Sequence, residues 1–241
     1  MSANGEKGTV AHGAADVPPA GRNEFGWNFF DASGQRQMAI QGPGHRKFGN
    51  PGPLGLLSFA STTLILSFVN VQARHVTEAN IVVGMALGVG GLAQLLAGMW
   101  EFAAGNTFGA TAFSSYGGFW LSFATIFIPG SGVLDAFAKT PDDFNNALGF
   151  FLMAWFIFTF IMLLASLRSN LGLVFLFFFL DLTFMFLMIG AFLPTNVNIT
   201  KAGGGLGIVT AAIAYYVGAS ELIPREAGYF TLPVYQLPRR D

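Results

Sequence analysis

Residues 50–56 read Asn50-Pro51-Gly52-Pro53-Leu54-Gly55-Leu56, and they open the first of six long apolar segments. Asn is favoured at a helix start, and proline is accommodated there because the first backbone donors have no internal partner. The stretch predicts a helix whose free N–H groups and positive dipole end face an anion. The apolar segments run roughly over 54–72, 80–103, 108–128, 145–167, 171–192 and 203–223. Each is near the length of about 20 residues that carries a helix across about 30 Å of hydrocarbon. None alternates as a barrel strand would. The reading is an all-α membrane protein, a bundle of six transmembrane helices.

Composition agrees. Hydrophobic residues make up 53% of the chain and charged residues 10%, against about 25% charged in an ordinary soluble domain. The net charge of −1 implies no nucleic-acid partner. With no cysteine in the chain, disulfides, thiolate catalysis and Cys-based metal sites are excluded.

A second block carries more identity than the first: Gly105-Asn106-Thr107-Phe108-Gly109-Ala110-Thr111-Ala112-Phe113-Ser114-Ser115-Tyr116-Gly117-Gly118-Phe119-Trp120. Together the two blocks resemble the NPxPLGL and GNTFGxTAFxSYGxFW signatures of the acetate uptake transporter family. That family includes bacterial succinate–acetate permeases and fungal acetate and ammonia-export proteins. The resemblance covers roughly residues 48–238. It implies transport of acetate and related small monocarboxylates at the plasma membrane, in a homo-hexamer with one path per protomer, and no enzyme activity or cofactor.

Residues 1–47 are rich in Gly, Ala and polar residues and hold no apolar run, so they read as a disordered cytosolic tail. Residues 48–224 form the transport domain, and 225–241 a short cytosolic C-terminal tail. An even number of spans puts both termini on one side. Arg36, Arg46, Lys47, Arg168, Arg225, Arg239 and Arg240 fall on that side, against Arg74, Lys139 and Lys201 on the other. The positive-inside rule then makes the termini cytosolic.

Small residues mark packing faces, with Gly84 and Gly88 forming a GxxxG pair in the second span and Gly203 and Gly207 another in the sixth. The fourth span, ringed by Phe150, Phe151, Trp155, Phe156, Phe158 and Phe160, reads as a peripheral helix facing lipid or a neighbouring subunit.

Asp181 lies at the middle of the fifth span, with no Lys or Arg inside any span to pair with. An Asp there costs about 2.5–3.5 kcal/mol on the insertion scale, so it should face the bundle interior or water. It reads either as a proton-coupling or pore-lining carboxyl, or as a protonated group bonded to a neighbouring helix. Gln94 and Glu101 share a face of the second helix. Gln94 is deep and uncharged, suited to a carboxylate or a water file. Glu101 is a second coupling candidate, or a span-end residue that reaches water; Glu221 shares that ambiguity. In the third span, Thr107, Thr111, Ser115, Gly118, Ser122 and Thr125 make a polar stripe, and Phe113, Tyr116, Trp120 and Phe123 an aromatic one. Periodicity assigns the pore to the polar stripe and the lipid to the aromatics.

The family resemblance implies otherwise for one of them. It implies a narrow apolar constriction made by Phe59, Tyr116 and an aliphatic fifth-helix residue, with Thr62 beside the pathway. The fifth-helix residue falls near Thr183, which is not aliphatic, so the constriction here is expected to be more polar. Asn50, Pro53, Leu54, Gln94 and Trp120 complete the expected path. Proton symport and anion conduction both fit these residues. Enzyme readings fail because His12, His45 and His75 all lie outside the spans and no second intramembrane Asp pairs with Asp181; a His-based metal site fails on the same inventory. Two other functions stay open. A non-transporting acetate sensor would act through its tails. A small neutral solute channel is suggested by the likeness of Asn-Pro-Gly to aquaporin boxes, which come in pairs where this chain has one.

Overall fold

A computed structural model describes residues 49–223 and 230–237. The predicted N-terminal tail and most of the predicted C-terminal tail lie outside the described residues. Six long helices follow one another: α1 (Gly52–Asn70), α2 (Ile81–Ala103), α3 (Thr107–Phe127), α4 (Pro141–Ser166), α5 (Leu171–Phe192) and α6 (Val197–Leu222). All but α3 are long and apolar enough to cross a membrane. The fold is nearly all-helical, with one isolated β-bridge, between Asn170 and Gln236, among the described residues.

The helices close a ring. α1 packs on α6, α6 on α5, α5 on α4, α1 on α2 and α2 on α3. The Phe119 ring of α3 stacks on Phe151 of α4 at 5.7 Å, which joins the remaining edge. Close approach between helices is made by small residues. A Cβ at Gly117 would lie 2.8 Å from the backbone nitrogen of Leu95, so α3 seats directly on the α2 main chain. Gly203 faces Leu187 of α5, and Gly207 faces Ser67 of α1. The sixth-span glycine pair therefore packs as expected. The Gly84/Gly88 pair does not: nothing lies within 4 Å of a Cβ at either position, so that face of α2 is open.

α4 is the outermost helix, with 22% of its apolar window buried, the lowest share among the five crossing helices. Phe150, Ile157, Phe160 and Leu164 line its exposed stripe. Its other aromatics turn inward, where Phe151, Trp155 and Phe158 pack against the core.

α2 is not uniformly α-helical. Its residues Gly88–Ala93 form a π-helical segment, a rare irregularity that re-aims the side chains beyond it. The glycines there admit close neighbours: a Cβ at Gly90 would lie 2.7 Å from Thr62 Oγ1 and 2.8 Å from Trp120 Cδ1. Gln94 is the first residue after this segment. At the same end of the bundle as the start of α5, residues 230–237 strap back onto the fold. The Leu171 N–H donates to the Tyr235 carbonyl at 2.8 Å, and the Leu237 N–H to the Ser169 carbonyl at 3.0 Å.

Candidate functional site

Two cavities enter the ring from opposite ends. The first, about 40 Å³, is lined by residues of the terminal end, including Asn106, Glu221, Gln94, Leu173 and Phe113. The second, about 290 Å³, is lined by Ser67, Asn70, Asn145, Pro194 and Thr200 at the other end, and by Trp120 deeper in. Phe59 of α1 and Leu180 of α5 line both. Tyr116 of α3 lines the first and sets its ring 5.7 Å from that of Phe59. Every second helix thus contributes one bulky side chain to the partition between the cavities.

The third wall differs from the sequence expectation. Thr183 lines the second cavity alone, and its hydroxyl donates to the Phe179 carbonyl of its own helix at 2.8 Å. Leu180, one turn earlier, stands at the partition. Sequence reasoning missed it because α5 is apolar all round and no face stands out.

Gln94 is buried to 1% exposure and lines the first cavity. Its Oε1 is sealed with no hydrogen-bond partner among the described residues. A buried amide oxygen left unpaired is uncommon, and as an acceptor it is open to a donor that enters the cavity.

Two similar asparagine–glutamate pairs lie at the terminal end, and of their members Asn106 and Glu221 line that cavity. Asn50 Oδ1 accepts the Gly52 N–H at 3.0 Å, and its Nδ2 donates to Glu221 Oε2 at 3.2 Å. Asn106 caps α3, accepting the Gly109 N–H at 3.0 Å, while its Nδ2 donates to Glu101 Oε2 at 2.9 Å. Glu101 is fully buried, so the expectation that it reaches water fails: it is held inward by Asn106. Asn50 itself is exposed and, with Pro53 and Leu54, borders neither cavity. Because Pro51 and Pro53 carry no N–H and Gly52 is bonded to Asn50, the start of α1 offers an anion fewer donors than its composition suggested.

The stripes of α3 are reversed. Phe113, Tyr116, Trp120 and Phe123 are buried, while Thr111, Ser115, Ser122 and Thr125 are half-buried or exposed. Ser122 and Thr125 satisfy their hydroxyls on the Phe119 and Leu121 carbonyls of their own helix. A hydroxyl bonded to its own backbone can face outward without cost, so polarity did not mark the pore. Thr62 likewise donates to the Ser58 carbonyl at 3.0 Å and is sealed under Gly90. Trp120 Nε1 has no hydrogen-bond partner among the described residues.

Asp181 is buried but lines neither cavity, and its Oδ1 has no hydrogen-bond partner among the described residues. On α5 it is rotated one residue from Leu180, off the face that meets the cavities. No group of three or more metal-ligating His, Asp or Glu forms among the described residues.

Comparison with known proteins places this arrangement. The model of the GPR1/FUN34/yaaH family matches residues 32–239. The chain belongs to the GPR1/FUN34/yaaH family. Acetate permease A of Emericella nidulans is 48% identical over 202 residues, covering 80% of this chain and 68% of the permease. The succinate-acetate/proton symporter SatP of Escherichia coli is 37% identical over 192 residues, covering 79% of this chain and 97% of SatP. A solved structure of the bacterial acetate channel SatP aligns with a TM-score of 0.65 at 36% identity, covering 73% of this chain and 93% of that one. These relatives carry transporter and channel names, not enzyme names. The family member described here is, like them, a multi-pass membrane protein.

Proposed function

We propose that this chain carries acetate and related small monocarboxylates across the plasma membrane, along one path through each protomer. The observation that carries the reading is the pair of opposed cavities sharing Phe59 and Leu180, with Tyr116 closing the gap. Acetate arriving from the terminal end meets the Gln94 amide, a buried polar group before the partition. It then passes three bulky side chains and reaches the wider second cavity, lined mostly by apolar side chains with neutral polar groups among them. Among the described residues no charged one lines the second cavity, which suits release, since a tight ion pair would hold the substrate in place. A narrow apolar partition passes a small neutral acid or gates an anion by dewetting.

The membrane arrangement follows the same reading. α3 is the sixth crossing helix: its 21 residues reach about 31 Å, and its Gly, Ser and Thr content lowers its hydropathy, with Ser122 and Thr125 bonded to the carbonyls of their own helix. Both termini then lie in the cytosol. The open Gly84/Gly88 face, beside exposed Leu92 and Leu96, supports packing between copies in a hexamer. Asp181 lies off the path, so a coupling role for it would be indirect and not by contact with substrate. Glu101, tied to the cap of α3, is the coupling candidate nearer the mouth.

Uptake of labelled acetate by purified protein in liposomes tests the function. Saturable uptake is expected. A rate equal to that of protein-free vesicles removes transport and leaves a sensor. Accumulation against an imposed pH gradient marks a symporter, and dissipation alone marks a channel.

A further inference from the structure

Tyr116 is anchored from behind, away from the path. Its hydroxyl lies 2.8 Å from Thr159 Oγ1 of α4. Thr159 is fully buried and lines neither cavity. Trp155 and Phe158 of the same helix flank the tyrosine ring, at 5.8 and 5.4 Å between centroids, and Phe177 of α5 lies at 6.4 Å. Aromatic neighbours alone leave a ring free to tilt; the hydroxyl bond fixes its far end.

The bond is a departure from local habit. A threonine inside a helix ordinarily donates to the carbonyl four residues earlier. Thr62, Thr125, Thr183 and Thr210 all do so here. Thr159 instead pairs its hydroxyl with one on a different helix. The rings that flank its partner are aromatic, although the Asp181 carboxyl also acts on Tyr116. Packing alone would be served as well by valine, which has nearly the same shape as threonine. What valine lacks is the partner for the tyrosine hydroxyl.

We infer that Thr159 is the positioning residue of the constriction: it holds the Tyr116 ring in the wall, so size discrimination depends on a side chain that never meets the substrate. This rests on the reading of Phe59, Tyr116 and Leu180 as the gate. Without Thr159 the tyrosine hydroxyl is left buried and unpaired, which favours tilting the ring out of the wall toward the first cavity.

The test measures the ratio of acetate to lactate uptake in proteoliposomes. Thr159→Val is expected to lower that ratio about fivefold, which is about 1 kcal/mol at about 1.4 kcal/mol per tenfold. Thr159→Ser keeps the hydroxyl and should restore it. Tyr116→Phe removes the other half of the bond without touching α4; it loses the anchor but leaves no unpaired tyrosine hydroxyl, so it should lower the ratio as well, though by less. The double variant should go no lower than either single one. An unchanged ratio in Thr159→Val or Tyr116→Phe, with Tyr116→Ala lowering it, overturns the positioning role and leaves the gate standing. Additive effects in the double variant overturn it too. A ratio that Tyr116→Ala also leaves unchanged removes the gate, and the positioning role falls with it.

Discussion

Replacing Phe59 with alanine should convert two cavities into one. The ring is 5% exposed, borders both the cavity of about 40 Å³ and that of about 290 Å³, and faces Tyr116 at 5.7 Å. A close-fitting apolar site rejects one extra methylene by about 1–3 kcal/mol, or about 10–200-fold. Butyrate exceeds acetate by two methylenes, and both must pass the gap this ring narrows. Phe59→Ala should therefore lower the acetate-to-butyrate uptake ratio by about tenfold or more, mainly by raising the butyrate rate. The stability cost should fall below the about 3–5 kcal/mol of a sealed core phenylalanine, because the ring already borders empty space on two sides. The assay is uptake of each labelled acid into liposomes, with elution of the detergent-solubilised variant confirming its assembly. A variant that elutes like wild type and keeps the wild-type ratio would refute the placement of the gate.

Gln94→Leu should raise the acetate KM by about 5–150-fold, the equivalent of about 1–3 kcal/mol for losing a buried polar partner, with little change in size selectivity; an unchanged KM would take Gln94 out of the site. Asp181→Asn keeps shape and hydrogen bonding but cannot titrate, so if Asp181 couples protons, downhill acetate exchange should persist while accumulation against a pH gradient is lost. Undiminished accumulation would leave Asp181 as a packing residue.

Much of the bundle was legible because hydrocarbon demands long apolar runs. The fifth segment matches α5 at both ends, and the first three agree within about two residues. The fourth and sixth helices begin earlier than hydropathy suggested. Pro141, Asp142 and Asp143 form the polar first turn of α4, and α6 begins at Val197, ahead of Lys201. Such turns extend past the apolar run; in α4 the acidic pair Asp142 and Asp143 is favourable at the positive end of the helix dipole. The site was legible only in part. The Asn-Pro and Gly-Asn blocks both lie at the terminal end of the bundle, but the pairing of Asn50 with Glu221, 171 residues away, is a tertiary fact. Leu180 and Thr183 lie three residues apart on a helix with no polar face, so only the neighbouring helices decide which one meets the gap. Burial of Glu101 was hidden because its partner, Asn106, comes from the next helix start.

The central claim is that acetate crosses through the first cavity of each protomer, and the cysteine-free chain permits a direct test. Ala112 is buried at 4% exposure and lines that cavity, and cysteine is close to it in size. The measurement is labelled acetate uptake by Ala112→Cys in liposomes, before and after a small charged thiol reagent. The account predicts saturable uptake that the reagent abolishes in the variant and leaves intact in wild type, with excess acetate slowing the labelling. Fully labelled Ala112→Cys that still transports at the unlabelled rate would contradict it.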